Sequence, residues 1–419
     1  MATCASDVST LMPKSLGRRL QLNVTDVLLG MTLVWCVVPE TLTGDIYFYA
    51  IPLRFVLLFS TTICSMISTL FLGVSQVTSY MKVALVAMFC MAVLGLYQGN
   101  DLKFWVIDVS YWTAFIFGLY WGGRYSRQHT INTLYWWSMA ISIVLLLNIL
   151  GLLLGFVPQA GEGERLYSYS LFTSAAFVTC MIPLWFTAET RGHELVIPRR
   201  ARVLAIVGIG CVLFCSILTA TRSIFLTAIV ALTIVLWLRL HGRNAAFWMF
   251  TTLASSLIVT VYIFSADSTA SAEVAGRLSS TNIVEEYRYV ELLMMFEDLE
   301  GSFLTGKGFG SRFESCIGQN GDFLAFAPHV AIFTSLLKGG VPAFVLLVVL
   351  PLGAAIYQLA RLNGNAISLS CSAAVVLYCA QAFMSGGWNF VALFILGVTI
   401  TLASRCKMQK SKSPNSLRS

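Results

Sequence analysis

Three arginines and one histidine stand where a polar side chain needs a reason: Arg165, Arg222, Arg288 and His329. A guanidinium presents a planar fork of donors that matches phosphate oxygens, and an imidazole exchanges protons near neutral pH without special tuning. Arg222 sits in LTATRSIFLTA, a short break between two apolar runs. A charge there lies close to hydrocarbon and is costly unless it is paired or used. The structural alternative is an arginine that snorkels to lipid headgroups, and the same alternative holds for Arg54, inside an apolar run. Arg165 follows GEGE, so a local pair with Glu162 or Glu164, worth little when exposed, competes with a binding role. Arg288 lies in EEYRYVELLMMFEDLE, which reads as an amphipathic helix. Its pattern directs Val290, Leu293, Met294 and Phe296 toward protein or membrane and leaves Glu285, Glu286, Glu291 and Glu297 in water. A helix-surface ion pair is the alternative for this arginine. His329 follows Pro328 and opens HVAIFTSLLKGGVPAF; a structural imidazole and a proton-transfer group are both open. Together these side chains suit an anionic, phosphate-bearing lipid.

The elements that must position them are apolar helices. The chain has 419 residues, of which 57% are hydrophobic and only 11% charged, with a mean hydropathy of +0.78. Soluble domains carry about 25% charged residues, so the composition implies an all-α polytopic membrane protein. Stretches of roughly 20 apolar residues cross the hydrocarbon core. Twelve such spans are expected, near 24–43, 50–73, 81–98, 103–122, 132–157, 166–187, 201–220, 223–240, 245–265, 340–358, 366–385 and 388–404. A tail over 1–23 precedes nine spans within 24–265, a large helical loop covers 266–339, three spans fill 340–404, and a basic tail covers 405–419. The basic N-terminal segment MPKSLGRRLQ leads straight into the first span without a cleavage site.

With both ends cytoplasmic, eighteen of the twenty-seven basic residues fall on the cytoplasmic side, among them the cluster IPRRAR. The reverse orientation offends the positive-inside rule. The loop therefore faces the periplasm or cell exterior, and it holds ten of the twenty acidic residues. His329 is then the one external histidine. Lys307 and Lys338 also fall on this side, without an assigned part.

Several classes are excluded. Basic residues dispersed among short loops make no nucleic-acid face, despite a net charge of +7. No Walker motif is present, and GKGFGS at 306–311 lacks dinucleotide-loop spacing, so a flexible turn closing the loop helix is the better reading. No carboxylate cluster asks for a divalent metal and no motif asks for a cofactor. The eleven cysteines form no framework, and Cys316 alone lies in the loop. A transporter or flippase of an anionic lipid-linked substrate is the rival from another class. It predicts paired interrupted spans, which this sequence does not show.

In TATRS with Arg222, in YRYVELLMMFEDLEGSFLTGKGFGS with Arg288, and in HVAIFTSLLKGGVPAF with His329, the chain resembles the O-antigen ligase and polymerase superfamily of bacterial inner-membrane glycosyltransferases. The resemblance extends to the layout of about twelve helices with one large periplasmic loop between the ninth and tenth, and to an arginine before the sixth span, matched by Arg165. Val330 departs from it, because the family most often carries Asn after the histidine. The resemblance implies a GT-C-like fold and a metal-independent, inverting transferase without cofactor. The donor would be an undecaprenyl-diphosphate-linked glycan and the acceptor a lipid A-core or a glycan, among membrane lipids at the periplasmic face. Arg222, Arg288 and Arg165 would bind the pyrophosphate. His329 would act as catalytic base or help to position the diphosphate. A ligase is the leading expectation, and a polymerase extending the lipid-linked glycan is the runner-up.

Overall fold

The computed structural model describes residues 47–48, 51–52, 60, 79–124, 127–154, 181–184, 203, 207, 210, 222–239, 284–319, 322–325, 327–328, 330–361, 366–384 and 390–410. The spans expected at 24–43 and 245–265 lie outside these residues, as do most of those at 50–73, 166–187 and 201–220.

Helix dominates what is described. The helices are α1 (Ser79–Tyr97), α2 (Leu102–Arg124), α3 (Arg127–Leu153), α4 (Arg222–Arg239) and α5 (Val284–Asp298), followed by α6 (Thr334–Phe344), α7 (Leu350–Arg361), α8 (Ala366–Met384) and α9 (Phe390–Lys410). A 3-10 turn, Ala331–Phe333, leads into α6, and a π-helical stretch, Val345–Val349, joins α6 to α7. Three helical stretches are long and apolar enough to cross a membrane: Ser79–Tyr97, Leu102–Gly123 and Ala331–Ala360. Thr227–Leu238, Ile367–Phe383 and Val391–Ser404 are shorter apolar helices.

The all-α expectation needs amendment in two places. A short antiparallel pair, β1 (Tyr47–Phe48) with β2 (Ile51–Pro52), stands where a span was expected to begin at residue 50. The loop, expected to be helical, also contains a second antiparallel pair, β3 (Phe313–Gln319) with β4 (Asp322–Ala325). Gln319 faces Asp322, so Asn320-Gly321 stands between the strands. That dipeptide is a strong hairpin signal, and the helical reading of the loop passed over it.

The centre of the packing is α2 against α9. Gly118 and Gly122 are four residues apart and share a face of α2, and Gly397 faces them from α9. A Cβ on Gly118 would strike the Phe394 carbonyl, and one on Gly397 would strike the Phe115 carbonyl. The two backbones therefore meet almost directly, as small residues allow between apolar helices. Thr401 Oγ1 donates to the Leu119 carbonyl at 3.0 Å across the same seam. Beside it, Phe394 lies 5.9 Å from the rings of Phe117, Trp121 and Trp137.

Several polar groups buried among these helices bond to a neighbouring helix. Ser372 Oγ donates to Gln358 Oε1 at 2.6 Å, tying α8 to α7, and Ser368 Oγ donates to the Ala403 carbonyl at 2.9 Å, tying α8 to α9. Tyr80 Oη, on α1, donates to the Leu346 carbonyl in the π-helical stretch at 2.7 Å. A widened turn displaces such carbonyls from the regular ladder, so the hydroxyl both satisfies the π turn and fixes α1 against it.

Candidate functional site

The helix that carries Arg288 packs through Phe296 as its sequence suggests, but its most deeply buried stripe is another one, and Glu291 departs from the expectation. Met295 and Leu299 are fully buried, with Leu292 and Phe296 packed beside them, whereas Tyr289, Val290 and Leu293 are exposed. Spacings of four, three and four place Arg288, Leu292, Met295 and Leu299 on one stripe. Arg288 thus stands half-buried at the head of the packed face of α5. Glu291, expected in water, is 0% exposed and accepts a hydrogen bond from Ser315 Oγ of β3 at 3.0 Å. The correction has a simple cause. With apolar residues nearly all round α5, periodicity alone did not fix its rotation; β3 did, by offering a hydroxyl to a carboxylate.

The packed face of α5 forms a small core of its own. Met295 and Leu299 meet Phe313 of β3 and Leu336 and Leu337 of α6. The ring of Phe296 lies edge-on to Phe333 at 5.6 Å, and Phe333 stacks on Phe344 at 5.7 Å. The helix bearing Arg288 and the helix that begins just after His329 are therefore two walls of one core.

Between α5 and β3 the chain makes a strap, residues 306–311, laid across a break in α6. Gly340 has φ 64° and ψ −162°, outside helical values, and Pro342 follows within the same helix. In an unbroken α-helix the Val341 N–H would serve the Leu337 carbonyl, and residue 342 would serve Lys338. Val341 donates instead to the Phe303 carbonyl at 3.1 Å, and Pro342 has no N–H to give. The strap takes up both freed carbonyls: Lys307 N donates to Leu337 O and Gly308 N to Lys338 O, each at 2.9 Å. The Val341 N–H and the Leu337 and Lys338 carbonyls thus each have a partner outside α6, as buried backbone requires.

The flexible turn expected of GKGFGS is instead a buried, close-packed segment. Phe309 is fully buried, donates its N–H to the Met91 carbonyl of α1 at 3.0 Å, and sets its ring 6.1 Å from Trp112 of α2. Gly308 has φ 75°, and a Cβ there would strike the backbone N of Gly95. Asn100 Nδ2 donates to the carbonyls of Lys307 and Phe309 at 2.7 and 2.9 Å. The glycines serve close approach in a fixed left-handed backbone.

At the end of the strap two opposite charges are buried together. Asp108 of α2 and Lys338 of α6 are each 1% exposed, with Nζ 3.2 Å from Oδ2. Lys338 Nζ also donates to the Ser311 carbonyl at 2.5 Å, and Asp108 Oδ2 accepts from Gly310 N at 2.8 Å. Both partners of the ion pair therefore hold the strap as well as each other. Neither was singled out from sequence, where Lys338 was an external lysine of no assigned part and Asp108 one acidic residue within an apolar run. That isolation was the available signal, because a carboxylate inside a span is expected to face a partner.

Of the residues expected to form the site, Arg288 has the placement just described. Arg222 opens α4, a helix that packs through Leu238 on Leu369 and Ala373 of α8. Arg165, His329 and Arg54 lie outside the described residues. Val330, next in sequence to His329 and the departure from the family's Asn, is buried. Lys307 pairs with Asp298, at the end of α5, at 2.6 Å and remains partly exposed. Among the described residues no group of three or more His, Cys, Asp or Glu side chains could hold a metal ion.

Comparison of the whole chain with family models and with curated proteins finds no match in either.

Proposed function

We propose that the chain is an O-antigen ligase-type glycosyltransferase. It moves a glycan from undecaprenyl diphosphate to the lipid A-core at the periplasmic face of a bacterial inner membrane. Twelve spans with both termini cytoplasmic frame the site, and the loop before the last three spans closes it. The acceptor hydroxyl oxygen forms the new bond to the anomeric carbon as the bond from that carbon to the diphosphate oxygen breaks, with inversion. The hydroxyl proton leaves to His329 when this residue is the base, and the charge on the departing diphosphate is met by Arg222 and Arg288, with Arg165 alongside. Diphosphate is a good leaving group, so positioning and fixed positive charge supply much of the rate.

The observation that supports this reading best is the placement of Arg288. It heads the packed stripe of α5, and that stripe shares a core with the helix that follows His329. Its side chain is partly withdrawn from water, and an anion-binding arm carried on a packed helix gains because little backbone freedom is lost on binding.

The test is glycan display in a strain lacking this gene, complemented with wild type, Arg288→Ala, Arg222→Ala or His329→Ala at matched membrane levels. Glycan profiles are read beside extracted lipid-linked intermediates. Long chains accumulating on the polyprenyl carrier, with none on the core, are the expected result in the null strain and in each variant. Single repeat units on the core would instead make the enzyme a polymerase, and full activity in all three variants would remove the transferase reading.

A further inference from the structure

We infer that Asp108 and Lys338 form an ion-pair seat that fixes the loop unit (α5, the strap and the β3–β4 hairpin) on the membrane helices, making both of them positioning residues for Arg288. The route is short and continuous. Asp108 belongs to α2 and Lys338 to α6, and both are held against each other and against the strap at Gly310 and Ser311. Phe313, two residues beyond Ser311, opens β3 and enters the core of α5. Ser315, two residues further, bonds Glu291, which lies one turn of α5 from Arg288.

The pair does more than close a gap between helices. Asp108 Oδ1 is buried and has no hydrogen-bond partner, so the Lys338 ammonium and one backbone N–H carry the stabilisation of this carboxylate. Removing the lysine leaves a buried charge nearly uncompensated, whereas removing both charges leaves a neutral site of similar volume. Among the described residues the strap has no other buried charged anchor. Lys307, its remaining cation, pairs within the loop unit with Asp298 and is partly exposed. A seat made of one charge from each of two spanning segments and two backbone groups from the loop sets the height and tilt of β3, and through Glu291 the rotation of α5. Small displacements at this seat become displacements of the guanidinium that meets the substrate.

The consequence for catalysis rests on the transferase reading; the seating itself does not. Cys316 reports the seating directly, because it lies in β3 beside Ser315 and is half-buried. The experiment measures alkylation of Cys316 by iodoacetamide, peptide by peptide in a mass spectrometer, on full-length protein in detergent. Variants are Asp108→Asn, Lys338→Met, the double variant and Asp108→Glu, and glycan transfer is measured in parallel. Each neutralising single variant is expected to raise the Cys316 rate and lower transfer by about tenfold or more, and the double variant to recover most of both. Asp108→Glu keeps the charges but lengthens one arm, so it lowers kcat by about tenfold while the amount of folded protein is unchanged. Should either single variant fail to accumulate, the double variant and Asp108→Glu decide the matter: wild-type kcat in Asp108→Glu, or a double variant that is absent as well, overturns the proposal. Unchanged Cys316 rates in folded single variants overturn it too. A Cys316 response of the expected size in a protein whose wild type transfers no glycan keeps the seat and removes the transferase reading.

Discussion

Gly308 donates its backbone N–H to the carbonyl that Pro342 leaves without a partner in α6. The proline breaks the helix and the glycine strap repairs its hydrogen bonding, so the two residues form one device although they stand 34 positions apart. A Pro342→Ala variant regains an N–H that competes for the Lys338 carbonyl. The expected result is faster amide exchange at 306–310 than in wild type, measured by hydrogen–deuterium exchange, with the exchange of α2 and α9 unchanged.

The backbone of Gly308 and the space around it make separate demands, and a second glycine separates them. Gly308→Ala adds a methyl against Gly95 in a left-handed backbone and is expected to cost about 3 kcal/mol or more. Gly99 has a similar φ, 70°, but nothing within 4 Å of an added Cβ. Gly99→Ala should therefore cost only the backbone term, about 1–2 kcal/mol. Unfolding of the two variants in the same detergent reads the difference, and equal losses would remove the close-approach argument.

Glu291 is buried with a hydroxyl donor on β3. Ser315→Ala removes that donor and is expected to cost about 1.5–3 kcal/mol, the range for hydrogen bonds to charged groups. Glu291→Gln keeps an acceptor oxygen without the charge and should lose less. If Ser315→Ala unfolds at the wild-type midpoint in a denaturant titration, the α5–β3 bond contributes nothing to holding the loop.

The α2–α9 seam rests on contact between backbones. Thr401→Val removes the bond to the Leu119 carbonyl and is expected to cost about 0.5–2 kcal/mol, as interhelical hydrogen bonds among apolar helices do. Gly397→Leu forces the helices apart at Phe115 and should abolish the monodisperse peak in size-exclusion chromatography. A monodisperse Gly397→Leu protein would show that the seam tolerates separation.

Arg288→Lys keeps the positive charge but loses the planar fork. For a residue that binds a diphosphate and meets its developing charge, transfer should fall by about 10²-fold, close to the effect of Arg288→Ala. A lysine variant with wild-type turnover would show that any cation on this face of α5 serves.

The sequence by itself determined the apolar character of the chain, the positions of α1, α2, α4, α8 and α9 to within a few residues, and the existence of a helix around Arg288. Length and apolar content suffice for these, because a helix of such composition satisfies its own backbone. It also singled out Arg222, Arg288, Arg165 and His329, since charges are scarce enough here for each to stand out. Tertiary structure decided what depends on a partner distant in the chain. The face that α5 buries follows from Ser315, which the periodicity of α5 cannot see. The strap reads as a loose glycine turn until the broken turn at Gly340 and Pro342 supplies its acceptors. Asp108 and Lys338 look like two unrelated charges 230 residues apart, and only the meeting of α2 with α6 makes them a pair. Hydrophobic pattern is a local property of the chain, whereas the neutralisation of a buried charge is a property of whatever the fold brings beside it.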